Sequence, residues 1–441
     1  MTEKIRHYIK SALLQAKTDP LFTGIYIAGV TLTITTILTI ATLYYIKIAP
    51  IYPETNRSNT YYIDKITRNF NSGKGMTIGT PSVYFLKEYI RPIDGVMALG
   101  IYFDPYGEFN VQLPDNRGSI PVKVKQTDDV FFQIVKFRFL EGEPFSAEDI
   151  ASEVKDIIVT DKLAELIFGK GNTGYVGKTI SIDFQDWRIK GVVESASPLT
   201  NISFAQIYMP YANDTNSQFF YRESDKLSGY SKGIMLIKEG MVETVNNRLK
   251  EQLTMLERKY ASEGDTVTIE VNKFISHAMT VFAGESKAET WWEAIKGNII
   301  VLLIVLFVPA MNLGSLISGR MDSRISELGI RKAFGASKWS IYNQILIENL
   351  VYTLIGGGLG LVISTLTVFM GKMALMKMID SSFSTILVES ASVTYRPEMF
   401  LSWTIFGTAL AVCLVLNSIS AIIPAYMSMR RKIVESINEK R

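Results

Sequence analysis

The residue types that carry most enzymatic chemistry are scarce in this sequence, which has one Cys and two His, His7 and His277, among 441 residues. That supply excludes an intrachain disulfide framework, a Cys-rich zinc site and an iron–sulfur cluster, and one imidazole alone makes no metal centre. Two strings imitate catalytic motifs. Gly171 to Thr179, GNTGYVGKT, has the outline of a phosphate-binding loop, but Asn172 stands where the first Gly belongs. A strand also follows its Lys where a helix N-terminus is required. Gly229 to Gly233, GYSKG, has the spacing of a nucleophile elbow, yet it precedes a strand instead of joining strand to helix. With His277 the only imidazole in its region, a serine triad is not expected; His277 itself, near Phe274 and Met279, reads as a packed or surface His. No catalytic residue, metal site or resident cofactor is therefore predicted.

The remaining chemistry is that of charges on a helix. In Arg320 to Leu350, RMDSRISELGIRKAFGASKWSIYNQILIENL, helical winding places Arg320, Arg324, Glu327 and Arg331 within about 60° of one another. Met321, Ile325 and Leu328 form an adjacent apolar stripe, and Glu327 with Arg331 is an i,i+4 pair of favourable polarity. Gly335 is suited to end this helix in the left-handed conformation, and Ser337 to cap the next. Such a segment reads as a short two-sided element protruding from a membrane, or as an ordinary solvated basic loop between two spans.

What must position it is a membrane. Mean hydropathy is +0.16, with 47% hydrophobic and 20% charged residues, an unusual balance for a soluble enzyme. Four apolar stretches reach the roughly 20 residues a bilayer helix needs. They are residues 22–46, 297–318, 341–370 and 401–426, and the one charge inside them is Glu348, near the start of the third. The first is too long for a signal-peptide core and is read as a retained anchor. Lys4, Arg6, Lys10 and Lys17 precede span one, Arg320, Arg324, Arg331, Lys332 and Lys338 lie between spans two and three, and Arg430, Arg431, Lys432, Lys440 and Arg441 follow span four. The positive-inside rule puts both termini (1–21 and 427–441) and the 319–340 link in the cytoplasm. Residues 47–296 and the short loop 371–400 then lie outside. The net charge of +3 combines a basic membrane part with a mildly acidic outer part, which offers nothing to nucleic acid.

The predicted fold is thus a polytopic α-helical membrane protein with four transmembrane helices and a large mixed α/β extracytoplasmic domain between the first two. Strands are expected at Ser119 to Lys125, Lys178 to Asp183 and Arg188 to Val193, the last two joined by a turn around Phe184 to Asp186. Val242 to Tyr260 reads as a helix with Val245, Leu249, Leu253 and Leu256 on one face. With strands at Gly233 to Lys238 and Thr266 to Val271 it makes a strand–helix–strand unit. In span one, Thr31, Thr35, Thr39 and Thr42 form a stripe of small polar side chains expected to face protein, either the bundle or a second copy.

The cytoplasmic string resembles the signature of FtsX-like permeases of the MacB type, roughly R-x-x-E-[IL]-G-[IL]-R-[KR]-A-x-G-A. Arg324, Glu327, Leu328, Gly329, Ile330, Arg331, Lys332, Ala333, Gly335 and Ala336 match it, with Gln344 and Glu348 following. Further resemblance lies in Phe131 to Phe145, in Leu166 to Val193, where Gly177, Lys178 and Thr179 fall in a strand pair, and in Ile423 to Glu439. The resemblance implies a permease of the type VII ABC superfamily in the bacterial cytoplasmic (inner) membrane. It implies that Arg324, Glu327, Leu328, Gly329, Arg331, Lys332, Gly335 and Ala336 couple to a cytoplasmic ABC ATPase dimer, which uses ATP and Mg in a partner chain. MacB itself carries a fused ATPase, whereas about 21 residues precede span one here. Further implied partners are a second permease copy or paralogue, membrane lipid, and a periplasmic adaptor or substrate protein. Relatives also suggest dividing the outer domain into a membrane-proximal α/β part, 50–115 plus 200–290, and an inserted β-rich lobe, 116–199. A regulator of an envelope enzyme driven by the same kind of ATPase is the alternative role. A sensory receptor or an integral-membrane enzyme finds less support, lacking an output module or a convergent set of His, Cys and carboxylates in the spans.

Overall fold

The computed structural model describes residues 2–70, 75–105, 109–114, 117–152, 154–200, 202–211, 227–262, 267–271, 274, 276–283, 290–301, 303–304, 334–335, 337–379 and 403–415. The chain forms two compact units, Met1–Tyr45 with Ala288–Asp380 and Pro397–Arg441, and Ile46–Lys287 with Ser381–Arg396.

The first unit is helical. Helix α1 (Thr2–Thr18) and helix α2 (Pro20–Ile48) are separated at Asp19, where Pro20 supplies a preset φ and a missing N–H at a position that needs no donor. Two stretches are long and apolar enough to cross a bilayer, Thr23–Ile48 (26 residues) and Asn343–Gly371 (29 residues). The other two expected spans fall largely outside the described residues; of them, helical residues 297–301, 303–304 and Trp403–Val415 are described. The long helix Lys338–Ile379 owes its fit to glycine. A Cβ on Gly356 would lie 2.8 Å from Val30, one on Gly360 2.9 Å from Ile34, and one on Gly357 2.9 Å from Leu410. Removing the side chain there lets α2 and Trp403–Val415 approach the backbone of the long helix, the small-residue contact that membrane helices use in place of a hydrophobic drive.

Helix α1, read from sequence only as a basic cytoplasmic segment, packs along the same long helix. Tyr352 Oη donates to Ala12 O at 2.7 Å, and Tyr352 meets the Tyr26 ring edge-on at 5.9 Å. Glu348, 2% exposed, accepts from Gln344 Nε2 at 2.9 Å and from Ser11 Oγ at 3.5 Å. The one charge inside an expected span is therefore satisfied by polar groups of α1 and of its own helix.

The second unit is built on strands β1 (Thr60–Ile63), β2 (Ile66–Phe70), β3 (Gly75–Pro81), β4 (Val96–Phe103), β5 (Phe109–Gln112), β6 (Ser119–Val122), β7 (Val124–Thr127) and β8 (Phe139–Gly142). They continue with β9 (Asp156–Thr160), β10 (Thr179–Ile182), β11 (Gln185–Val193), β12 (Ile207–Pro210), β13 (Ser228–Gly229), β14 (Lys232–Ile237) and β15 (Val267–Val271). The large sheet runs β1-β14-β4-β7-β12-β9-β11-β10-β5-β6, with β8 added on β11, and the small sheet runs β13-β3-β2-β15. Two apolar clusters sit on it. One gathers Phe131, Phe132, Phe145 and Tyr208, the other Val111, Ile157, Ile180 and Trp187.

Three expectations are corrected. Ser119 to Lys125 is two strands broken at Lys123, because β6 pairs with β5 while β7 pairs with β4 and β12. The hairpin after Thr179 turns at Asp183 and Phe184, both at positive φ (48° and 65°), and its second strand starts at Gln185. The helix Val242–Ser262 buries Val245, Leu249 and Leu256 as expected, but its flanking strands do not share a sheet: β14 lies in the large one and β15 in the small one. The large sheet also runs through both stretches that relatives divide, since β12 sits between β7 and β9.

Candidate functional site

Of the residues expected to couple to an ATPase, Arg324, Glu327, Leu328, Gly329, Arg331, Lys332 and Ala336 lie outside the described residues. Gly335 is described, at φ +82° in a turn. Two residues on, Ser337 Oγ accepts the Ser340 N–H at 3.2 Å where the long helix begins. A left-handed glycine thus stands just before a capped helix start.

The threonine stripe of α2 turns toward the rest of its own unit. Thr31 and Thr42 are buried, Thr35 and Thr39 half-buried, and Thr35 Oγ1 donates to Gly360 O at 3.4 Å. It therefore lines the same glycine contact described above.

The most concentrated polar chemistry in the second unit surrounds the last turn of α2, and sequence reading missed it. A helix C-terminus leaves its final carbonyls without intrahelical donors. Here Arg57 Nη1 donates to Ile46 O at 2.7 Å and Ala49 O at 2.9 Å, while Arg57 Nε donates to Glu54 Oε2 at 2.8 Å. Both side chains are buried, at 3% and 5% exposure. The other Glu54 oxygen accepts from Ser203 N and Oγ at 2.8 and 2.7 Å. His277 completes the ring: Nε2 meets Lys47 O at 2.6 Å and Nδ1 meets Tyr62 Oη at 2.8 Å. A carbonyl only accepts, so those partners assign the proton to Nε2, leaving Nδ1 to accept from the Tyr62 hydroxyl. Burial holds the His277 pKa below its ordinary value, helped by Arg57 and opposed by Glu54. Burial by itself would raise Glu54, but Arg57, Ser203 and His277 outweigh it and hold the carboxyl below its usual range. The result is an ionised Glu–Arg pair and a neutral His, all spent on positioning, with a cation against the negative end of a helix dipole. Among the described residues no group of three or more His, Cys, Asp or Glu could hold a metal.

The motif imitations resolve in structural terms. The Gly174, Tyr175 and Val176 N–H groups, which in a phosphate loop would face an anion, instead bond the Glu141 carboxylate at 2.8, 2.7 and 3.4 Å. The nest is filled from within the chain. In GYSKG, Ser231 Oγ donates to Pro81 O at 2.6 Å and is fully buried between β13 and β14.

One unit is helical, with two stretches long and apolar enough to cross a bilayer, and the other is a large mixed α/β body, the composition of a membrane protein that carries a folded domain. Residues 23–252 match the MacB-like periplasmic core domain and residues 299–433 match the FtsX-like permease C-terminal domain. The chain belongs to the FtsX/MacB-type family of ABC transporter permeases. Among relatives, the macrolide export ATP-binding/permease protein MacB of Pasteurella multocida (strain Pm70) is 28% identical over 248 residues, 56% of this chain and 35% of that protein. The uncharacterized ABC transporter permease YknZ of Bacillus subtilis (strain 168) is 25% identical over 239 residues, 54% of this chain and 55% of that one. The aligned region thus spans about a third to just over half of these curated relatives. The periplasmic region of MacB from Actinobacillus actinomycetemcomitans aligns at 14% identity over 50% of this chain and 90% of that one, with a TM-score of 0.34.

Proposed function

We propose that this chain is the transmembrane subunit of a type VII ABC transporter. ATP hydrolysis by a separate cytoplasmic ATPase dimer moves its extracytoplasmic domain, and no substrate path crosses the bilayer. The observation that carries the reading is the tandem match, a MacB-like core domain followed by an FtsX-like permease segment. The clamp on α2 supports the mechanical part: Arg57 binds two carbonyls at the helix end while its partner Glu54 binds Ser203, 149 residues from Glu54 in sequence. Force on the helix is then delivered to the body of the second unit through directional bonds. Arg324, Glu327, Arg331 and Lys332 are assigned to engaging the ATPase, with both termini cytoplasmic in a bacterial inner membrane. The Thr31, Thr35, Thr39 and Thr42 stripe is assigned to packing within the bundle, and a second copy or paralogue completes the transporter.

The test is purification of the full chain from native membranes in mild detergent. The expected outcome is a co-purifying ATPase that is lost on Glu327→Ala and Arg331→Ala while membrane insertion persists. An ATPase retained and stimulated equally by both variants would reject the coupling role.

A further inference from the structure

At one end of the large sheet, four neighbouring strands bring a set of like charges together. The register sets Tyr102 against both Lys232 on β14 and Thr127 on β7, and Phe103 against Gln126, so Asp104 just past β4 meets Lys125. Thr127, two residues along β7, shares the face of Lys125 by strand alternation, and Lys123 lies at the break just before β7. On β12, Tyr208 sits beside Lys125, which brings the preceding Gln206 alongside Lys123.

The charges do not balance. Lys125 Nζ, fully buried, bonds Asp104 Oδ1, and Lys232 Nζ lies 3.2 Å from Asp104 Oδ2. Lys123 lies near enough for its charge to be felt by both Asp104 and Lys125. Among the described residues Asp104 is the one carboxylate within ion-pairing distance of any of the three. Three ammonium groups therefore share one carboxylate in a setting where burial weakens solvent screening.

A second, independent observation points the same way. Gln206 Oε1 accepts the Lys123 N–H at 2.7 Å, but Gln206 Nε2 is buried and has no partner among the described residues. Thr127 Oγ1 is also buried without one. Gln206 and Thr127 are 5% and 0% exposed. Buried polar atoms are ordinarily bonded, and these orphans include an amide donor and a hydroxyl free to donate. Burial lowers the Lys123 pKa, and pulls Lys125 down to about 8, with Asp104 opposing. Desolvation is the larger effect on both lysines, and the single carboxylate offsets it in part.

We infer that this end of the sheet is an oxyanion site, where Lys123 and Lys232 hold a carboxylate or phosphate group beside Asp104. Lys232 and Asp104 are 35% and 37% exposed, so the cluster opens to solvent there while Lys125 supports it from beneath. The inference concerns ligand binding by the second unit and stands apart from the coupling proposal.

The experiment uses the full chain in detergent micelles at pH 7, following thermal unfolding in phosphate, acetate and chloride at matched ionic strength. Phosphate or acetate is expected to raise the midpoint at roughly tenfold lower concentration than chloride, in the manner of a ligand that binds the native state. Whichever of the two acts identifies the group bound. Lys123→Gln with Lys232→Gln removes the selective shift, and Asp104→Asn, which deletes the competing carboxylate, enlarges it. Equal shifts from all three salts, or a selective shift unchanged in the double lysine variant, would overturn the inference. Should the double variant fail to fold, the salt comparison on the natural chain and on Asp104→Asn decides alone.

Discussion

Consider removing Arg57 from the clamp. Arg57→Met keeps most of the aliphatic volume but deletes three bonds of 2.7 to 2.9 Å and leaves Glu54, 5% exposed, as an ionised carboxylate without its cation. Breaking one partner of a buried ion pair costs about 3–5 kcal/mol, most of it from the charge left behind. Glu54→Gln leaves Arg57 its two carbonyl bonds and a neutral neighbour, so its cost falls at the low end of that range. The double variant strands no charge and should cost less than the sum by about 0.5–3 kcal/mol, the coupling expected of contacting residues. Amide hydrogen exchange of the full chain in detergent reads this locally, because the Ser203 N–H is bonded to Glu54 Oε1 at 2.8 Å. Arg57→Met should lower protection of residues 200–206 and 57–63, and adding Glu54→Gln should restore part of it. The pH dependence has a fixed sign. The Glu54 pKa is depressed on folding, so its contribution is present above the unfolded value of about 4.3 and is lost as pH falls through the folded value. The His277 pKa is also depressed. Folding therefore favours its neutral form, and stability declines as pH drops below the unfolded value of about 6.5. Strict additivity of the two substitutions, or unchanged exchange in Arg57→Met, would refute the clamp.

Gly356→Ala would set a methyl 2.8 Å from Val30 and should cost about 1–3 kcal/mol in overpacking, whereas Gly358→Ala, with open space at its Cβ, should be neutral or gain up to about 1 kcal/mol; thermal unfolding in detergent separates the two. Burial raises the Asp128 pKa to about 7 against the opposing N–H groups of Ile101 and Phe131. The unfolded carboxyl ionises first, so the natural chain should lose stability relative to Asp128→Asn as pH rises from about 4 to 7, and a difference independent of pH would contradict that burial. Glu141→Ala should increase exchange at the amides of 174–176 at a cost of roughly 1 kcal/mol for these accessible bonds.

Legibility followed the range of the interaction. The span Thr23–Ile48 and the helix Val242–Ser262 were read almost to the residue, because periodicity and apolar length are local properties. At the phosphate-loop imitation local context spoke against a nucleotide, but Glu141, more than 30 residues upstream, could not have been named as the group that bonds its N–H groups. Sheet membership was not legible. Nothing in GIMLI or VTIEV says that the two strands flanking one helix enter different sheets, since that depends on partners more than 100 residues away. The break at Lys123 was hidden for the same reason: Ser119 to Lys125 alternates well as one strand, and only two different neighbours divide it. For the clamp, only composition was legible. An Arg nine residues past a long apolar helix, with a Glu three residues before it, marks a charge pair close to a helix end whose carbonyls need donors.

Why the helix end is held by charge, and not by apolar packing, follows from what each can transmit. Replacing a buried ion pair by apolar side chains often costs nothing in stability, so stability alone does not explain Glu54 and Arg57. An apolar contact resists separation but tolerates rotation and sliding, because dispersion and hydrophobic burial are nearly independent of direction. A guanidinium bonded at 2.7 and 2.9 Å to two carbonyls three residues apart, and fixed on its other edge by a carboxylate, resists both. Turning the last turn of α2 by one residue, about 100°, would carry both carbonyls off the guanidinium and leave a buried cation half-satisfied. His277 adds a third attachment at Lys47 O, on a different side of the same turn. Three bonds to consecutive stretches of one helix end specify its rotation as well as its position. A cap that merely satisfies leftover carbonyls fixes neither.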